Sequence, residues 1–169
     1  MDRRPDPSEY APYFSRYVAL APDGPVLDTL QAQPDVLARQ VGTADPDMAY
    51  APGKWTVHQA LQHVVDAERV FAYRALCFAR RDGSPLPSFD EDAWAANADV
   101  SGRPFGDTLA EFRAVRAATV ALFEGLPADA WGRAGTASGN PMSVRAAAYV
   151  IAGHAAHHAA VYRDRYGLA

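Results

Sequence analysis

The sequence predicts an all-α protein, a four-helix bundle of long helices joined by long crossover connections, with an irregular all-α domain as the alternative. Three observations carry this. Apolar residues recur at helical spacing and strand-like alternation is scarce. Four stretches are long enough for bundle helices, and two of them open on recognisable caps. Two of the connections are long, which fits a bundle with crossovers. The 169 residues suit one domain, 1–169, in which residues 1–25 form an N-terminal extension with a short helix.

Taken in order, residues 8–20 predict that short helix, carrying Tyr13, Phe14 and Tyr17. Ala21, Pro22, Asp23 and Gly24 form a turn. The first long helix covers Val26–Val41 with Leu27, Leu30 and Leu37 inward, and Pro34 should kink or split it. Residues 42–53 are a loop rich in Pro, Asp and Gly. Thr56 and Gln59 match a capping box, so the second helix starts there. It runs to about Arg81, where Asp82 and Gly83 stop it. Residues 84–106 are a long connection, in which the stretch around Phe89 and Trp94 predicts a short helix. The third helix is expected over 107–125, with Leu109, Phe112, Val115, Thr119 and Leu122 inward. Residues 126–141 read as a Gly-rich loop. The fourth helix starts on Ser143 as N-cap and ends near Gly167 as the left-handed terminator. The helix order in space is left open.

Composition narrows the functions. The net charge is −4 and the chain has one lysine, Lys54, so it lacks the basic face expected of a nucleic-acid-binding domain. No stretch approaches a membrane-spanning length of apolar residues. Residues 1–10 are polar and proline-rich, without the apolar core of a signal peptide. The single cysteine, Cys77, excludes an internal disulfide and reads as a small core filler, and the expected location is the reducing cytoplasm.

The histidines carry the chemistry. His154 and His158 are one helical turn apart and share a face. They are flanked by Gly153, Ala155, Ala156, Ala159 and Ala160, which leave room where a plain core helix would pack Leu or Ile. Two imidazoles need a third ligand. His63 lies deeper along the second helix than His58, which sits in the first turn and is expected to point to solvent. His63, His154 and His158 are therefore the candidate ligands of a single divalent metal, with Zn, Ni and Fe(II) all compatible with three neutral imidazoles. His157 is about 100° away around the helix and reads as a surface group or a partner to a ligand. Asp66 could orient an imidazole N–H, Glu68 could pair with an arginine, and Asp90, Glu91 and Asp92 could line the mouth of the site. There is no nucleophile elbow, phosphate-binding glycine loop, CxxC pair or Glu-x-x-His signature.

Several stretches together resemble the DinB-like superfamily of damage-inducible, metal-binding four-helix bundles. Ala51-Pro52-Gly53-Lys54-Trp55-Thr56, followed by His63-Val64-Val65-Asp66-Ala67-Glu68-Arg69, resembles the segment that opens the second helix and supplies the first ligand. Arg74-Ala75-Leu76, Phe78-Ala79-Arg80 and Pro85-Leu86-Pro87-Ser88-Phe89-Asp90 resemble the later helix and crossover. Ala152-Gly153-His154-Ala155-Ala156-His157-His158 with Tyr166 resembles the closing motif. Residue by residue, the resemblance makes His63, His154 and His158 the metal ligands and Trp55 structural, and it implies a homodimer. It also implies either a metal-dependent low-molecular-weight-thiol S-transferase or hydrolase acting on a small molecule, or a non-catalytic metal-binding stress protein that dimerises. A metal-free module whose histidines only pack is the third reading. Arg69 and Arg74 are candidates for recognising an acidic cosubstrate, or for ion pairs.

Overall fold

The computed structural model describes residues 3–169. Six helices carry the fold: α1 Ser15–Leu20, α2 Val26–Val41, α3 Val57–Ala79, α4 Glu91–Asn97, α5 Phe105–Glu124 and α6 Val144–Asp164. One antiparallel hairpin, β1 Ala134–Ala137 and β2 Asn140–Ser143, joins them.

The four long helices form the bundle. α6 packs on α2 and α3, and α5 packs on the same two helices from the other side. One core cluster joins the start of α2 (Val26, Leu30), the end of α3 (Phe71, Phe78), the end of α5 (Val120, Phe123) and the start of α6. A second joins Leu37 and Val41 with Val57, Leu61, Phe112 and Tyr162. The neighbouring helices α2 and α6 therefore run parallel, as do α3 and α5, and the two pairs oppose each other. Residues adjacent in the chain, α2 and α3 or α5 and α6, sit across the diagonal. A diagonal step needs a long connection, which is why 42–56 and 125–143 are as long as they are.

Local chemistry explains the elements. The capping box of α3 forms as the sequence predicts: the Thr56 hydroxyl accepts from Gln59 N–H at 3.1 Å and the Gln59 side chain accepts from Thr56 N–H at 2.9 Å. Ser143 caps α6 through Ala146 N–H. Helical bonding in α6 ends at Asp164, before Gly167, yet Gly167 has the left-handed φ of 70° and turns Leu168 N–H back to the Tyr162 carbonyl.

Four expectations are corrected. Pro34 does not split α2. It lacks the N–H that would bond the Leu30 carbonyl one turn back, and the Arg116 guanidinium donates to that carbonyl instead, at 2.8 Å. The buried face of α5 is Thr108, Phe112, Arg116, Thr119, Val120 and Phe123, while Leu109, Val115 and Leu122 are half-buried. Thr108 and Arg116 point inward because each meets a buried partner, His58 and Glu68, and an apolar stripe alone placed the face about one residue off. The 126–141 loop contains a helical turn, Ala128–Gly132, and then the hairpin. Ser138 and Gly139 at its tip both have positive φ, 54° and 74°, as a two-residue hairpin turn requires. Leu86 pairs alongside β1, donating to Thr136 and accepting from Ser138. Finally, the N-terminal segment is two 3-10 turns, Pro7–Glu9 and Pro12–Phe14, ahead of the short α1.

α1 lies directly on α6. A side chain at Gly153 would place its Cβ 1.7 Å from the Tyr17 carbonyl oxygen, so the close approach exists because residue 153 is glycine. No helix among the described residues is long and apolar enough to cross a membrane. Cys77 is buried.

Candidate functional site

Helix α3 brings His63, and α6 brings His154 and His158, to one point in the bundle. One ring nitrogen from each lies within 4.8 Å of the others. The Nε2 atoms of His63 and His154 are 3.1 Å apart. Two nitrogens bound to one ion at about 2.0–2.1 Å lie roughly 3 Å apart at angles between square and tetrahedral, so that spacing suits a shared metal. His154 and His158 are buried and His63 partly so. Among the described residues, the buried Nδ1 of His158 has no hydrogen-bond partner, an orphan atom of the kind a ligand would satisfy.

Electrostatics favours the ligating form. Burial pushes the pKa of His63 down to about 4. Burial, and then the neighbouring histidines, push His154 and His158 well below the usual imidazole value. All three are neutral at pH 7, with lone pairs available.

Aromatic rings hold the imidazoles. Tyr17 of α1 meets His154 edge-on at 5.3 Å between ring centroids, and Trp55 lies 4.8 Å from His63. Tyr166 donates to the Trp55 carbonyl at 2.7 Å, tying the end of the chain to the start of α3.

A cleft of about 350 Å³ opens on this cluster. His63 and His154 line it with Ala67, Phe71 and Arg74 of α3, Phe14 and Tyr17 of the N-terminal segment, Phe89 and Glu91 of the crossover, and Ser138 and Asn140 of the hairpin. On the other side, His157 and His158 line a smaller recess with Lys54, Trp55, Asp92 and Tyr166. The histidines thus sit between two openings.

The other sequence-predicted residues are distributed as follows. Glu91 and Asp92 reach the two openings, and Asp90 caps α4. His157 is half-buried, edge-on to Tyr17 and His158. Glu68 is buried and pairs with Arg116 through both oxygens, at 2.8 and 2.9 Å. Asp66 accepts from Gln62 and Arg69 rather than from a histidine, which corrects the orienting role expected of it. His58 is buried, not solvent-facing: its Nε2 meets Thr108 Oγ1 at 2.8 Å. A first-turn position is exposed only if nothing packs there, and α5 does. Arg69 pairs with Glu111 at 2.6 Å. The N-terminal wall of the cleft lies far from the histidines in the chain, and the one local signal for the hairpin wall was the turn-forming doublet Ser138-Gly139.

A family profile described as the DinB superfamily matches residues 27–161. A protein of Geobacillus kaustophilus named "Putative metal-dependent hydrolase" is 31% identical over 115 residues, covering 66% of this chain and 64% of that protein. The chain thus matches just under two thirds of that relative's length. Among solved structures, YfiT from Bacillus subtilis, described as having an unusual four-helix bundle topology, superposes with a TM-score of 0.72 at 21% identity, covering 85% of this chain and 87% of the other.

Proposed function

The chain belongs to the DinB superfamily, and on that premise we propose that it is a metal-dependent hydrolase of a small molecule in which His63, His154 and His158 hold one divalent ion. The observation that carries this reading is the convergence of three neutral ring nitrogens within 4.8 Å of one another, bordering an open cleft. The Geobacillus relative is named a putative metal-dependent hydrolase, and YfiT is described as a probable one; both names support the reading. His63, His154 and His158 would hold the ion, which would supply Lewis-acid polarisation of a carbonyl and a lowered pKa for water or a thiol.

The chain's own residues supply the rest. Burial keeps the three imidazoles unprotonated, and Tyr17 and Trp55 hold two of the rings in place. Phe14, Phe71 and Phe89 give the cleft apolar walls that take up the non-reacting part of a substrate and exclude water from it.

The test is metal content of untagged protein, wild type and His154→Ala, with hydrolysis assayed on a panel of esters and amides. The expected outcome is roughly one ion per chain, lost in the variant together with turnover. Zn, Ni and Fe(II) are compared by reconstitution, and sedimentation of the same samples tests the homodimer. Saturable transfer of a low-molecular-weight thiol, without hydrolysis, would reassign the site to a thiol S-transferase. Metal without any turnover would select the non-catalytic metal-binding stress protein. Wild type that takes up no metal sinks both enzyme readings.

A further inference from the structure

We propose that Arg74 is an anion-recognition residue of the histidine cleft, and that the cleft takes an elongated molecule with a carboxylate or phosphate at the end remote from the histidines. This rests on the cleft being the substrate site, but not on the metal.

Arg74 is 2% exposed and lines the same cleft as His63 and His154. Its Nη2 donates to the Pro87 carbonyl at 2.8 Å and to Ser138 Oγ at 3.0 Å. Both acceptors are neutral. Among the described residues no carboxylate lies within ion-pairing distance of it, and Nε and Nη1 meet no acceptor. Among the described residues the other buried arginine, Arg116, pairs with Glu68, and half-buried Arg145 pairs with Glu9. Glu91, the one acidic residue lining the cleft, makes no ion pair with Arg74. The Phe71 ring beneath the guanidinium, 5.3 Å away, offers partial compensation.

Burying a charge without a counter-ion is costly, and the two segments that converge on it offset only part of that cost with neutral acceptors. The Leu86 bridge brings Pro87 from the crossover, and the left-handed turn residue Ser138 brings its hydroxyl from the hairpin. If the task were only to tie these segments together, a neutral amide could donate to both acceptors. A guanidinium does more: with Nη2 holding the two segments, Nε and Nη1 keep their N–H groups for single charge-assisted hydrogen bonds to a carboxylate or phosphate.

The spacing sets the shape of the ligand. His63, Ala67, Phe71 and Arg74 follow one another along one face of α3. Eleven residues at about 1.5 Å rise each separate His63 and Arg74 by roughly 16 Å at the backbone. Between them lie Ala67 and Phe71, faced by Phe14 and Phe89. An apolar middle with one anionic end fits this order.

The test compares octanoate, octyl phosphate and octanol binding to the full-length chain by calorimetry, as purified and after metal stripping with EDTA. An anion fully engaged by a buried guanidinium should bind roughly tenfold or more tighter than the alcohol, in the stripped chain too. Whichever of octanoate and octyl phosphate binds tighter identifies the anionic group. Arg74→Met should erase the preference, and Arg74→Lys should retain part of it. Octanol binding as tightly as both anions to wild type overturns the proposal without any variant being needed. So does a preference that survives in Arg74→Met, or one that disappears on metal stripping while the chain stays folded, since that places the anion at the histidines. Hydrolysis that persists after metal stripping, with the anion preference intact, would count against the metal reading alone.

Discussion

At the scale of single residues, burial does most of the chemical work. The three central histidines are neutral because their charged forms are poorly solvated, and the stability of the metal-free chain should record this. An unfolded histidine takes up a proton near its ordinary value of 6.5, whereas folded His63 resists until about 4, and burial holds His154 and His158 well below 6.5 as well. Below about 6.5 the unfolded state therefore binds more protons, and stability is lost as pH falls. The slope is about 1.4 kcal/mol per pH unit for each histidine that stays neutral. His58 and His157 are also lowered by burial and act in the same direction. A urea midpoint that drops clearly between pH 7.5 and pH 5 in EDTA-treated protein is the expected result; an unchanged midpoint would mean that the histidines are hydrated in solution. That His154 and His158 share a face was legible from periodicity alone; the structure brings His63 beside them. His58 was misplaced because its burial comes from Phe105 and Thr108, residues of a helix about fifty positions away, which no local pattern records.

At the scale of elements, α3 is the best-specified part of the chain. Its start is set by the reciprocal bonds of Thr56 and Gln59, and its first turns carry His63 toward the bundle. Removing the cap in Thr56→Ala should cost about 1 kcal/mol, read as a lower urea midpoint with the bundle retained; no change would show that packing of Val57 and Leu61 alone holds that end. α2 shows a different principle. Pro34 reads as a helix breaker, yet α2 continues through it because the freed Leu30 carbonyl finds a donor on α5. The hairpin was missed for a related reason. Four-residue strands with Pro141 in one of them have little pattern of their own, and they are held by pairing with each other and with Leu86. Elements that complete their hydrogen bonds internally were legible, and those that borrow bonds from elsewhere were not.

At the scale of the whole molecule, Arg116 ties the bundle together. It is buried on α5, grips both oxygens of Glu68 on α3, and donates to Leu30 and Gln33 on α2. Gln33 in turn donates to the Ala152 carbonyl on α6 at 2.7 Å, two residues before His154. All four long helices meet in this network. Breaking such a pair by removing one charge leaves the other stranded, so Glu68→Gln should destabilise the protein by about 3 kcal/mol. Denaturant unfolding checks this, and a loss under about 1 kcal/mol would mean that Arg116 finds water or another partner when its carboxylate is gone.

The sequence by itself determined that the chain is helical, where most helices begin and end, and that His154 and His158 share one helix face. Those features depend on periodicity and caps, which operate over a few residues. Only the tertiary structure decided the parallel pairing of α2 with α6 and of α3 with α5, the inward turn of Arg116 and His58, and the walls of the cleft. Each of these depends on which distant groups satisfy a buried donor, acceptor or charge. That accounting closes only when segments far apart in the chain are brought into contact.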